Sequence, residues 1–375
     1  MFNFKVLQSS KSTFHNFGLS ESIQLENDLQ EKFINSNSNS EYTFPSFSNP
    51  NFISDTQFPN YIHRTKWLKD SSLITISQDN AIRLYIPSPD LLSLDNELIL
   101  PYLRHFSSHS ILTSEIHPNS SIYEGSIPVL LSSKEIPLKL MSLINGELIT
   151  SYNNKNETVE RYESVYSMKF LNEVNFLTGS NKNIKIYDLN RKDPIVTIEN
   201  RGINSCITTL NSEFLERGSF ITGTFSNKLT LYNSNCNIVQ KFQCGNNGIS
   251  QILESNNGKY LYIISRNSGK IKILDIRMSL KEVDQLSNLN FKNQRIYGDI
   301  FDNNQGLLIG SSNGELNWFK DSELGMSTTH EKIKLSDENS AISNVSINPS
   351  DANVIAISIG DRNSTKSELQ IDKID

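Results

Sequence analysis

A chain of 375 residues is long enough to bury a large core, either as two or three domains of about 150 residues or as one large all-β domain. Its 37% hydrophobic and 20% charged residues lie in the globular range, and its short apolar runs fall far below the roughly 20 residues that span a bilayer. A formal net charge of -6, from 35 Lys plus Arg against 41 Asp plus Glu, gives no general attraction to nucleic acid or anionic lipid, so neither DNA nor membrane is expected as a partner.

The first residues, MFNFKVLQSSKSTFHNF, alternate polar and apolar side chains and lack the roughly 7 to 15 residue apolar stretch of a secretory signal. Three cysteines, Cys206, Cys236 and Cys244, have no Cys-x-x-Cys spacing and fit reduced thiols in cytosol or nucleus. Residues 1–60 read as an N-terminal arm. Within it, about 20–58 form a loose Asn/Ser-rich lead-in, with Phe44, Phe47, Phe52 and Phe58 as residues that could dock on the rim of the downstream domain or engage a partner.

From residue 61 a repeat emerges. Short units of the kind apolar-polar-apolar-apolar recur at Ile82–Tyr85, Leu138–Met141, Ile184–Tyr187, Leu229–Tyr232, Ile271–Leu274, Leu316–Phe319 and, less clearly, Leu369–Asp372. Their last positions are separated by steps of 56, 46, 45, 42, 45 and 53, close to the roughly 40 to 45 residue period of a four-stranded propeller blade. Each unit follows an apolar strand such as Leu73–Ser77 or Phe220–Thr224, across turn formers such as Asp79-Asn80 and Asn313-Gly314. Before the hairpin lies an alternating strand, as in Tyr166–Phe170 and Ile342–Ile347; after it comes a more polar one, as in Ile195–Ile198 and Ile238–Phe242. The spacing predicts an all-β, seven-bladed WD40-type propeller over residues 61–375. The seventh repeat lacks a fourth strand, and a ring with protected edges needs one, so Phe4–Gln8 is expected to close it.

The hairpins resemble WD repeats, with Tyr187-Asp188 and Leu274-Asp275 as degenerate forms of the Trp-Asp dipeptide. Residues 64–87, RTKWLKDSSLITISQDNAIRLYIP, resemble the first blade of the telomerase Cajal body protein family. Residues 132–152, SSKEIPLKLMSLINGELITSY, are similar to its second blade, and Asn293-Gln294-Arg295-Ile296-Tyr297 to the strand opening its sixth. The fungal branch of that family is similar to a nuclear WD-repeat protein implicated in pre-mRNA splicing. The resemblance therefore implies a non-catalytic nuclear scaffold whose partners are spliceosomal or other small nuclear ribonucleoprotein proteins, with RNA held mainly through protein contacts. Two other readings stand beside it: a generic protein-protein adaptor, such as a substrate receptor, and binding and trafficking of small Cajal-body or telomerase RNA.

No catalytic, cofactor or metal site is expected. His105 and His109 are four residues apart, a spacing that suits a metal only on a helix, whereas PYLRHFSSHS reads as loop or short strand. The carboxylates that would suit acid/base work sit in predicted turns, where Asp bonds its own backbone. Arg83, Lys139, Lys185 and Lys272 share one position of the third strand; they read as a solvated position alternating with core residues, or as cations on an exposed blade side. Arg83, Lys185, Lys272 and Arg295 are the candidate contacts to partner or RNA. Arg295, in an innermost strand, needs a partner, as a buried structural arginine or as a residue lining the central channel.

Overall fold

The computed structural model describes residues 4–10, 60–88, 90–156, 160–292, 295–301, 306–320, 329–338, 340–360 and 367–374. The lead-in at about 20–58, with its four phenylalanines, lies outside the described residues.

Seven sheets, antiparallel except for one short edge strand, stand around a common axis as propeller blades, six of four strands and one of five. The innermost strands are Ile62–Trp67, Ile111–Ile116, Ser167–Phe170, Asn204–Thr209, Ile249–Glu254, Gly298–Ile300 and Ile342–Ile347, numbered here as blades one to seven. The hairpins predicted from the repeat are the second and third strands of each blade. Leu73–Ser77 and Phe220–Thr224 match residue for residue, and the left-handed conformations of Asn80 and Gly314 explain why their turns take Asn and Gly. Outermost strands such as Val196–Glu199 and Ile238–Gln243 are half exposed, which accounts for their polar composition.

Five innermost strands carry a register shift near their start, between Ile62 and Arg64, Ile111 and Thr113, Asn204 and Cys206, Ile249 and Gln251, and Ile342 and Asn344. Such a bulge breaks the two-residue alternation and re-aims the side chains beyond it. That is why the innermost strands are fainter in the sequence than the hairpins.

The apolar core is divided into seven clusters, each wedged between two consecutive blades. One joins blades one and two through Leu84, Val129 and Leu131; another joins blades four and five through Ile221, Leu231, Leu261 and Ile263. The last, Ile62, Trp67, Leu73, Tyr85, Val354, Ala356, Leu369 and Ile371, joins blade seven back to blade one. Polar clasps strengthen that seam: the Trp67 indole N–H donates to the Ser346 carbonyl at 3.0 Å, and the Ser343 hydroxyl donates to the Ile62 carbonyl at 2.9 Å.

The strand expected at Phe4–Gln8 is present as Phe4–Ser9, antiparallel to Glu368–Ile374, and it completes blade seven. Leu7 is fully buried there. A short parallel strand at Glu97–Leu98 pairs with Gln8 and Ser9 and adds a fifth strand, which the sequence did not signal.

Across from Val6 in this closing pair lies Asp372, fully buried, and neither of its carboxylate oxygens has a hydrogen-bond partner among the described residues. Burial, with a smaller push from Glu368, raises its pKa to about 8. The folded state therefore keeps the proton to higher pH than the unfolded chain, whose carboxyl ionises near 3.8, so stability falls as pH rises from about 4 to about 8. The wild type and Asp372→Asn should melt together below about pH 4. By pH 9 the variant should be the more stable by at least about 1.4 kcal/mol, the value of one pKa unit. Parallel melting curves across that range would show that folding leaves the Asp372 pKa where it stands in the unfolded chain.

Candidate functional site at the central channel

Because every innermost strand runs along the axis, their inward side chains line a central channel. One end holds a cavity of about 390 Å³ lined by Lys66, Glu115, His117 and Lys169 among others. Toward the other end lies a second, of about 180 Å³, lined by residues that include Arg64, Cys206, Gln251, Glu254, Arg295 and Tyr297.

Glu115 organises the wider half. Its side chain is 2% exposed and is met by Lys66 Nζ at 2.8 Å, Lys169 Nζ at 3.1 Å and Arg64 Nη2 at 3.4 Å, cations supplied by blades one and three. Burial alone pushes the Glu115 carboxyl up, but Lys169, Lys66 and Arg64 together outweigh it and hold the pKa at about 2. Lys66 shifts in the opposite sense. Burial, with repulsion from Lys169 and Arg64, brings its pKa down to about 8 despite the attraction of Glu115.

The narrower half opens on a mouth where guanidinium groups and aromatic rings alternate. Arg64 lies over the Tyr297 ring at 5.5 Å, Arg295 reaches the Tyr297 hydroxyl at 3.5 Å and lies over Phe225 at 5.6 Å, and Arg266 covers Phe225 at 4.9 Å. The order is Arg64, Tyr297, Arg295, Phe225, Arg266. Each ring face holds cations through its quadrupole and fixes the plane of the guanidinium. Burial would raise the Tyr297 pKa, yet Arg295 and Arg64 overcome it and draw it below the usual phenol range. The Cys206 thiol beneath is pushed up to about 12 by burial and stays protonated.

The chain matches no protein-family model. It is similar to Protein SWT21 of Kluyveromyces lactis, 32% identical over an alignment that covers 89% of each chain. It is also similar to Protein SWT21 of Vanderwaltozyma polyspora, at 31% identity over 84% of this chain and 80% of the relative. Protein SWT21 of Saccharomyces cerevisiae is 30% identical over 70% of this chain and 81% of its own. The chain belongs to the SWT21 family.

Within this SWT21-family propeller the four sequence-derived contacts separate. Arg83 is fully buried: its Nη2 pairs with Asp79 Oδ2 at 2.5 Å, its Nη1 with Asp79 Oδ1 and Ser77 Oγ at 3.1 Å, and Asn60 Nδ2 donates to the same carboxylate at 3.2 Å. Neither the solvated position nor the exposed blade side describes it. The turn between the second and third strands of blade one curls back over the third strand and closes it off from solvent.

Lys185 is likewise buried, donating to the Lys155 carbonyl at 2.7 Å and lying 3.6 Å from Glu163 Oε2. Lys272 is about a third exposed and ion-paired to Glu282 at 2.6 Å. Arg295 lies just before the innermost strand Gly298–Ile300 rather than within it, because the pairing of that blade begins only at Gly298; it lines the second cavity and pairs with no carboxylate among the described residues.

His105 falls in the strand Leu103–Phe106 of blade one, its ring packed beneath Gly146, and His109 in the turn beyond. The sequence did not single out Arg64, Arg266 or Phe225. They come from blades one, five and four, and no local motif links them; only closure of the ring does.

Proposed function

We propose that this SWT21-family chain is a nuclear, non-catalytic WD-repeat scaffold that joins small nuclear ribonucleoproteins in pre-mRNA splicing, bound chiefly through protein contacts. The single observation that supports this most is positional. The stretches 64–87 and 132–152, which resemble the first and second blades of the telomerase Cajal body protein family, lie in blades one and two of this ring; Arg295–Tyr297 leads into blade six, as in that family. Asn293 and Gln294 lie outside the described residues. A rigid ring with family relatives throughout is consistent with a scaffold.

The test is affinity purification of the tagged protein from cells, with sequencing of the bound RNA and localisation of the protein. Spliceosomal small nuclear RNAs should be enriched several-fold over a mock purification, and the protein should be nuclear. An RNA profile equal to the mock, or exclusively cytoplasmic protein, would replace this reading with that of a generic adaptor.

A further inference from the structure

We propose that the channel mouth framed by Arg64, Arg266 and Arg295 captures acidic side chains of an extended peptide carried by a partner protein. Three observations carry this. First, Arg295 is held half-buried against Tyr297 and Phe225 with no carboxylate partner among the described residues, and Arg64 meets its nearest carboxylate, Glu115, only at 3.4 Å. Guanidinium planes clamped on ring faces present their N–H edges, the geometry that takes a carboxylate in two parallel hydrogen bonds.

Second, cations outnumber carboxylates along the channel in a protein whose net charge is -6. An acidic peptide is therefore repelled by the molecule as a whole and drawn to this one place, which favours a specific site over diffuse attraction. Third, the cavity below the mouth is about 180 Å³. Small-molecule sites run to roughly 300–1,000 Å³, so this one admits a side chain and its carboxylate more readily than a nucleotide base with its sugar.

The source of the peptide rests on the scaffold reading; the site itself does not. The test uses the purified full chain with a fluorescein-labelled ten-residue glutamate peptide, a phosphoserine-containing peptide of equal length, a glutamine peptide and a ten-nucleotide uridine oligomer. The glutamate or the phosphoserine peptide should bind saturably, the glutamine peptide at least tenfold more weakly, and added salt should weaken the complex. Whichever acidic peptide binds more tightly identifies the source of the anion.

Arg295→Gln and Arg266→Gln should each weaken binding about tenfold. Arg201→Gln, at an exposed pair with Glu199 on the outer surface, should leave it unchanged. Melting is recorded for each variant; if Arg295→Gln does not fold, Arg266→Gln carries the comparison. No saturable binding of either acidic peptide, equal loss in Arg201→Gln, or tighter binding of the uridine oligomer would overturn the proposal. Since purified protein is used, a failed small nuclear RNA purification and a failed peptide titration are separate results.

Discussion

Arg83→Met should destabilise the propeller by about 3–5 kcal/mol, the usual cost of stranding one member of a buried ion pair. The reason lies in the geometry: both side chains of the Asp79–Arg83 pair are fully buried, and Asp79 keeps a pKa below the ordinary carboxylate range against the cost of its burial chiefly through Arg83, with help from the Ala81 N–H and the Asn60 amide. Removing the arginine leaves that carboxylate in a dry pocket with the Asn60 amide and the Ala81 N–H as its remaining donors. Thermal melting should fall by about 5 °C, since the shift per kcal/mol shrinks as the chain lengthens. The double variant Asp79→Leu with Arg83→Met removes both charges and should recover much of the loss, since apolar replacement of a buried pair is often neutral. A single variant within about 1 kcal/mol of wild type would show that the pair is not structural.

Deletion of residues 1–10 should have an effect of similar size, about 3–5 kcal/mol. Burial of a leucine side chain such as Leu7 is worth about 1.5–3 kcal/mol, and the remainder comes from strand pairing lost along Glu368–Ile374. The deletion also bares Leu369 and Ile371 at the blade seven to blade one seam, so loosening should reach blade one. Leu7→Asp in the full chain is the milder companion and should lower the melting temperature in the same direction. Hydrogen exchange along Glu368–Ile374 checks the location: protection there should drop more than in blades three and four. An unchanged melting temperature would show that the strand contributes nothing to closure.

Much of the fold was legible because blade hairpins obey local rules. A pair such as Leu73–Ser77 and Ala81–Tyr85 is mostly apolar, buried along its whole length and joined by residues that tolerate a positive φ, so period and turn chemistry agree. The innermost strands obey a tertiary rule instead. Ile62–Trp67 carries Arg64 and Lys66 because one side faces a channel, and its bulge shifts the alternation besides.

The candidate site was legible at one residue. Arg295 stood out as a charge in a strand that should be crowded, whereas Arg64, Phe225 and Arg266 look unremarkable in their own segments and acquire meaning from neighbours one or more blades away. Arg83 misled for the opposite reason. Its alternation with Ile82 and Leu84 reads as an outward position, but the partner that buries it, Asp79, sits in the preceding turn and passes for an ordinary turn residue.

The clasp between the N-terminal strand and blade seven also sets a clock. Ser10 meets Leu369 across 359 residues of chain, and at about 5–20 residues per second a ribosome needs roughly 20–70 s to bring the second after the first. Throughout that interval six blades can stack on one another while the strand Phe4–Ser9, paired on one side with Glu97–Leu98, waits with its other edge open. Lys5, Gln8 and Ser9 make it a poor template for stray strands, as charge and polarity do on natural sheet edges. A ribosome that stalls before residue 368 therefore releases a ring that has no means of shutting, with an open seam on either side of the gap.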